Sequence, residues 1–426
     1  MPVTELPLLP ESDAEPSDRV LILGAGYAGL RCAQTLGKMF DNPRTDPEIV
    51  LLDRYSYHQI LTELPEAASG RIGQDDVALP LETLLRRAKV RLEQAEIGRI
   101  DLDAAEVVTT RGTISYGILV VALGSVTAFY NVPGLAESAL TLKSVEDAQA
   151  IKARVVQVVA EAAKAEDPAE RGALLSVLVG GAGLTGVELA GELAELLPKL
   201  AKDNGLDPSL PRVTLVEGAP AVLPSMPQRL QTRSAAILSE IGIRLALGSR
   251  VVAADDQGVQ LANGDRLVGR TLIWTGGIIA PSLLAQSGLP TARNGHVPVT
   301  EHLQLEDRPE IYVIGDAAEI LTDEGHGSLA PTAQVAVKQA EAAAYNIMAS
   351  TRGWALRRYR PSDKGQVVSL GSESGVASVF DVGLSGRKVL ALKGLIAEGY
   401  RVEVTGSIFR RGRAVPVGPK DAEEFK

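Results

Sequence analysis

A single cysteine, Cys32, is present in 426 residues. One thiol forms no internal disulfide, so the chain asks for no oxidising compartment, and chemistry that needs a pair of redox thiols is excluded. Aromatic residues are scarce, with 5 Phe and 2 Trp against 42 Gly. Few rings and many glycines favour tight turns and backbone that approaches a ligand closely, which fits an α/β nucleotide binder better than a β-sandwich. A surplus of positive charge is also missing. The formal net charge of −10 opposes a general nucleic-acid role, which needs a basic face. No apolar run reaches the ~18–20 residues that span a bilayer. The nearest, Gly117 to Leu135, is broken by Asn131, Pro133 and glycines. Glu5, Glu11, Asp13 and Glu15 stand where a signal peptide would carry basic residues. His58, His296, His302 and His326 show no metal-ligand spacing, so no metal is expected, and they read as ordinary surface or site-lining residues. The expected location is cytoplasmic, with peripheral contact to the inner face of the cell membrane left open.

What is present is a pattern that occurs twice. Residues 1–18 are rich in Pro, Glu and Ser and read as a disordered arm. Val20 to Leu23 then forms a strand, followed by a Gly-rich turn and a helix around Leu30 to Met39. Glu48 to Asp53 is a second strand ending in an acid. Later, Ser176 to Val179 is a strand, Gly181 to Gly186 the turn, and Val187 to Leu197 a helix expected to stop near Pro198. Arg212 to Glu217 is again a strand ending in an acid. Between the two lies a helix expected over Val145 to Ala165. Asn263-Gly264 signals a hairpin. Ile311 to Ile314 reads as a strand and Thr332 to Ile347 as a helix. Strands at Val367 to Leu370 and Val376 to Val382 precede a helix from Arg387 to Tyr400. The expected fold is α/β with two Rossmann-type domains, the second inserted in the first, and a small C-terminal α+β region. The boundaries are 19–143 with 290–355, 144–289, and 356–426.

The first fingerprint is Gly24-Ala25-Gly26-Tyr27-Ala28-Gly29, directly after a strand and opening a helix. Gly24 allows the tight turn, Gly26 lets backbone approach a pyrophosphate, and Gly29 lets helix and strand pack. The helix N-terminus presents free N–H groups and a positive dipole end to phosphate. Asp53 is placed to accept from ribose hydroxyls. Gly181, Gly183 and Gly186 repeat this logic, with Glu217 as the acid. A carboxylate there favours a free 2′-hydroxyl over a 2′-phosphate, hence NADH over NADPH. A third candidate, Gly315-Asp316 after the Ile311 strand, pairs a close-approach turn with a carboxylate that can hydrogen-bond a polyol.

With these motifs in hand, the chain resembles the two-dinucleotide-binding flavoproteins, and within them the type II NADH dehydrogenases (NADH:quinone oxidoreductases). The matching stretches include Leu61 to Gly70, Tyr116 to Ser125, Gly180 to Gly191, Ile273 to Gly277, Gly315-Asp316 and Pro331 to Gln334. Ala122-Leu123-Gly124 matches a family Ala-Thr-Gly turn, with Leu in place of Thr. The resemblance implies an FAD site of Gly24, Gly26, Tyr27, Ala28, Gly29, Asp53, Arg54, Ala122, Gly124, Gly315, Asp316, Ala333 and Gln334. It implies an NADH site of Gly181, Gly183, Thr185, Gly186, Glu188, Glu217 and Gly276. Glu188, as an acid early in the second helix, either serves the helix dipole or lies near nicotinamide and flavin; the resemblance implies the second and makes Glu188 and Gln334 catalytic residues. Gln334 belongs to a family Ala-Gln-x-Ala-x-Gln beside the flavin and quinone. Lys338 takes the second Gln position and is a catalytic candidate. His58 falls where the family places residues near the flavin.

The implied reaction is hydride transfer from NADH to FAD, then electron transfer to a quinone, without proton pumping. The alternative is a soluble NADH-dependent reductase of a small electron-carrier protein. A nucleotide-sensing interaction protein would bind both cofactors without turnover. Val389, Leu392, Ile396 and Tyr400 form a helical stripe flanked by Arg387, Lys388, Lys393 and Arg401, with Arg410, Arg411 and Arg413 beyond. Such a helix lies in a membrane interface or packs on its own protein or a dimer partner. A homodimer is expected.

Overall fold

The computed structural model describes residues 18–42, 44–320, 331–361, 364–380 and 382–406. The expected arm, apart from Asp18, falls outside these, as do His326 and the arginines at 410, 411 and 413. The chain divides into two units. The first takes residues 1–58, 79–126 and 279–363, and the second 59–78, 127–278 and 364–426. The second unit thus includes the C-terminal segment and the short stretch 59–78, both placed elsewhere by the expected boundaries.

In the first unit, five parallel strands run in the order Ile311–Val313, Ile118–Val121, Arg19–Leu23, Glu48–Asp53, Arg91–Gln94. The Arg19 strand is buried along its whole length, as a parallel strand covered on both faces must be. Its helix, Tyr27–Met39, packs beside Ala333–Thr351. A three-stranded antiparallel meander, Ile97–Asp101, Glu106–Thr109 and Gly112–Ser115, completes the unit.

The second unit repeats the plan. Its parallel order is Ala139–Leu140, Thr271–Trp274, Ser176–Gly180, Arg212–Val216, Arg244–Ala246. A second meander carries the expected Asn263-Gly264 hairpin, between Gly258–Leu261 and Arg266–Val268. In both sheets the strand order reverses beside the first strand, and open α/β sheets bind ligands at the carboxyl end of that switch point.

One sequence expectation fails outright. The helix after the second Gly-rich turn does not stop at Pro198 but runs Leu184–Asp203. Proline removes the N–H that would reach the Ala194 carbonyl, a cost of about 3 kcal/mol in a helix interior. The buried stripe of Val187, Leu193, Leu197 and Ala201 passes straight through it and offsets that cost. The C-terminal helix is also longer than expected, Arg387–Thr405, and follows three antiparallel strands rather than two: Gly365–Ser369, Gly375–Val379 and Val382–Ser385.

Candidate functional site

The two Gly-rich turns are near copies. Gly24 has φ +95° and Gly181 φ +96°, a left-handed backbone that L side chains avoid. A Cβ on Gly24 would stand 2.5 Å from the Ala122 carbonyl oxygen, and one on Gly181 would stand 2.5 Å from Gly276 Cα. Each first glycine thus touches the strand end across its switch point, at Ala122 and Gly276 respectively. A side chain at Gly29 or Gly186 would collide with the carbonyl of Gly24 or Gly181 respectively. Gly26 and Gly183 differ from these: among the described residues nothing lies within 4 Å of a Cβ built on either. Both are helix N-caps without a side-chain cap, and neither helix has an acid in its first turn. Other helices here, after Ser144, Asp167 and Thr332, are capped by side chains. The two turns therefore leave open space before uncapped N–H groups, the arrangement that receives a pyrophosphate.

The acids do more than the sequence shows. Asp53 Oδ2 accepts from Ala25 N–H at 2.6 Å and Oδ1 from Tyr55 N–H at 2.8 Å. Burial pushes its carboxyl up, opposed by these N–H donors and by Arg54, whose guanidinium lies 4.9 Å over the Tyr55 ring. Glu217 repeats the pattern, accepting from Ala182 N–H at 2.7 Å and Ala219 N–H at 2.8 Å. Each acid fixes its own glycine turn.

In the second unit, Gly181, Glu217 and Gly276 line a cavity of about 460 Å³. That volume falls within the range of small-molecule sites, roughly 300–1,000 Å³. Tyr130, Arg250 and Trp274 also line it. Tyr130 and Asn131 are consecutive non-glycine residues with φ near +52° and +53°. Arg250 supplies a cation that the sequence reading missed, since it lies 33 residues after Glu217 rather than beside it. Thr185 is half-buried in the first turn of the adjoining helix.

In the first unit, a Cβ on Gly315 would stand 3.2 Å from the Ala28 side chain, so the third motif adjoins the first. Asp316 Oδ2 accepts from Ser125 Oγ–H at 2.8 Å, beside Gly124. Gly315 N–H donates to Gln339 Oε1 at 2.6 Å. The buried glutamine of this helix is therefore Gln339, passed over in the sequence in favour of its neighbours. Ala333 and Gln334 are half-buried at the helix start. Lys338 is exposed, its ammonium 2.7 Å from Glu341 on the same helix.

His58 is wholly buried, its Nδ1 2.8 Å from the Ala25 carbonyl and its ring edge-on to Tyr27. Burial lowers its pKa to about 4, so it is neutral in the fold. Above pH ~6.5 neither folded nor unfolded His58 is charged; between ~6.5 and 4 only the unfolded form gains the proton. Stability is expected to fall by about 3 kcal/mol across that window. Urea unfolding of wild type and His58→Asn at pH 7 and pH 4.5 checks this: the variant loses less stability on acidification. Equal losses would contradict it.

Glu188 lies in the second turn of its helix, beyond the reach of the dipole effect. It is 6% exposed, and its Oε1 accepts from Lys393 Nζ at 2.7 Å, Ser369 N–H at 2.9 Å and Ser369 Oγ at 3.1 Å. Lys393 also donates to Glu66 Oε1 at 3.0 Å, so two buried carboxylates share one ammonium. Burial raises the Glu188 pKa and Glu66 adds to this, against Lys393 and the Ser369 N–H. Burial opposes the charge on Lys393, but Glu188 and Glu66 outweigh it and hold the lysine charged. Arg71 extends the network, reaching Glu66 at 2.9 Å and Glu192 at 2.6 Å. Arg401 is fully buried against Glu63 and the Asp76 carbonyl. Lys393 and Arg401, read from the sequence as cations flanking an apolar stripe, thus point into their own unit.

Comparison with known proteins agrees with this geometry. Residues 18–340 match the family model "Pyridine nucleotide-disulphide oxidoreductase". The type II NADH:quinone oxidoreductase of Staphylococcus aureus (strain MSSA476) is 32% identical over 405 residues, covering 94% of this chain and all of the relative. NDH2 from Plasmodium falciparum in complex with NADH superposes with a TM-score of 0.81 at 18% identity, over 90% of this chain and 94% of that one. The sulfide:quinone oxidoreductase of Aquifex aeolicus gives a TM-score of 0.75 at 19% identity, over 92% of each chain. The disulphide branch of the family is closed to this chain, because Cys32 has no second sulfur and burial pushes its thiol to about 12. The chain belongs to the pyridine nucleotide-disulphide oxidoreductase family and, within it, to the type II NADH:quinone oxidoreductases.

Proposed function

We propose that this protein oxidises NADH and delivers the electrons to a quinone, with FAD as resident cofactor and no proton pumping. The carrying observation is the pair of open glycine cradles, Gly26 and Gly183, each before an uncapped helix end. Gly24, Asp53, Ala122, Gly315 and Asp316 are the residues that fit FAD. The cavity lined by Glu217 and Gly276 fits NADH, and the Glu217 carboxylate disfavours a 2′-phosphate there. When bound, FAD accepts the hydride of NADH and passes two electrons onward.

The chain's own residues orient and supply protons. Reduction of a quinone to a quinol takes up two electrons and two protons, of which the hydride supplies one proton. Glu188 is the proposed holder of the second, since burial raises its affinity for a proton while Lys393 and Ser369 fix its position. Glu188→Gln is expected to lower quinone turnover about 100-fold, the size of a lost general acid. Flavin reduction by NADH is expected to stay within about threefold, because hydride transfer needs no such proton. Gln334→Ala is expected to show the same split. Stopped-flow traces of the two half-reactions check it; equal loss in both would remove Glu188 from this role.

Acceptor choice is tested by steady-state turnover with quinones against small iron–sulfur carrier proteins. Faster reduction of a carrier protein would favour the alternative reductase. Peripheral membrane attachment is part of the proposal. No helix among the described residues is long and apolar enough to cross a membrane. Phe380, Val382, Leu384, Leu395 and Ile396 nevertheless stand exposed on the second unit, Phe380 at 73%. Vesicle co-sedimentation reads this, and sedimentation velocity reads the proposed homodimer.

A further inference from the structure

His296 reads from the sequence as one of several unremarked histidines, and the structure gives it a specific place. It follows the turn Ala292 to Gly295, closed by Ala292 N–H donating to its carbonyl at 2.8 Å. It precedes Val297–Pro298, which pairs in parallel with Ala318–Glu319, just past the Gly315-Asp316 turn. The imidazole is thereby carried to a cavity shared with Gly315, Asp316 and Gln339. The residue is 9% exposed.

Its tautomer follows from its neighbour. Asn294 Oδ1 accepts from His296 N–H at 3.3 Å, so the amide NH₂ faces the ring, and Asn294 Nδ2 donates to Nδ1 at 2.9 Å. Nδ1 is then the acceptor and the ring proton sits on Nε2. Nε2 is buried and finds no hydrogen-bond partner among the described residues. A buried donor left unpaired is costly, so such an atom calls for a partner, and a bound ligand can supply one.

We propose that His296 is an FAD-binding residue whose Nε2–H donates to an acceptor oxygen on the ribityl–pyrophosphate stretch of the cofactor. Asn294 sets the tautomer that makes this possible. The inference rests on the FAD reading of the Gly315-Asp316 site and adds a donor to a site otherwise lined by the Asp316 carboxylate.

The test uses full-length protein stripped of flavin and titrated with FAD, binding being read by quenching of flavin fluorescence. Loss of the donor in His296→Leu is expected to weaken FAD at least about tenfold, the scale of one buried hydrogen bond. His296→Gln restores a donor and is expected to bind within about threefold of wild type. Melting of each apoprotein separates this from a folding defect: both variants lose the Asn294–His296 hydrogen bond, so a change in apoprotein melting shared by the two reads packing, and the difference in FAD affinity between them reads the donor. A second readout needs no variant: in ¹⁵N-histidine-labelled wild type, the His296 Nε2 resonance should shift on adding FAD. Wild-type affinity in His296→Leu, or an Nε2 resonance indifferent to FAD, overturns the proposal and leaves a buried water as the partner. If wild-type apoprotein takes up no FAD, the cofactor reading itself fails.

Discussion

Gly183→Val is expected to leave the protein folded and FAD-loaded while lowering NADH-driven turnover by at least about 100-fold. Gly183 adopts φ −72° and ψ −170°, extended backbone that a β-branched residue accepts without strain. Among the described residues nothing lies within 4 Å of the added Cβ, so the branch point itself meets no collision in the folded state. Stability should stay within about 0.5 kcal/mol of wild type, as for a substitution that touches nothing. The space that the isopropyl group fills is the space a pyrophosphate needs above the helix N-terminus. Flavin content, melting temperature and NADH kinetics on one preparation decide the matter. A variant with wild-type KM and kcat would show that NADH does not use this cradle.

Arg401→Met is expected to destabilise the second unit by about 3–5 kcal/mol, the cost of stranding a buried carboxylate. Arg401 is fully buried, its Nη1 3.0 Å from Glu63 Oε1 and its Nη2 3.1 Å from the Asp76 carbonyl. Glu63 is 4% exposed, so its carboxylate loses the facing guanidinium in an interior that water does not reach. Pairing Arg401→Met with Glu63→Met should recover most of the loss, because an apolar pair of similar bulk replaces the ion pair without stranding a charge. The two tryptophans make the measurement local. Trp354 lies in the first unit and Trp274 in the second, so in a Trp354→Phe background the remaining fluorescence reports the second unit alone. A single variant as stable as wild type, or a double variant no better than the single, would contradict this.

The sequence carries the cradles plainly because their causes are local. A strand, three glycines at fixed offsets, a helix and an acid 29 residues after Gly24 fix one another within about 35 residues, and the structure repeats that unit at Gly181. The Asp53 and Glu217 contacts to backbone N–H extend the same local logic. What was not legible depends on long-range packing. Lys393 and Arg401 look like solvated cations on an amphipathic helix, and helical spacing cannot show that their partners lie 205 and 338 residues away. Pro198 reads as a helix stop because propensity is local, whereas the buried stripe that carries the helix past it is tertiary. Among Gln334, Lys338 and Gln339, only the fold distinguishes the glutamine that points to Gly315 from the lysine that points to solvent.

The most direct test is anaerobic titration of the purified, FAD-loaded protein with NADH, followed by addition of a quinone. The account predicts stoichiometric bleaching of the flavin absorbance by NADH and its full return with the quinone. Protein that purifies without flavin, or whose flavin absorbance NADH leaves unchanged, would contradict it.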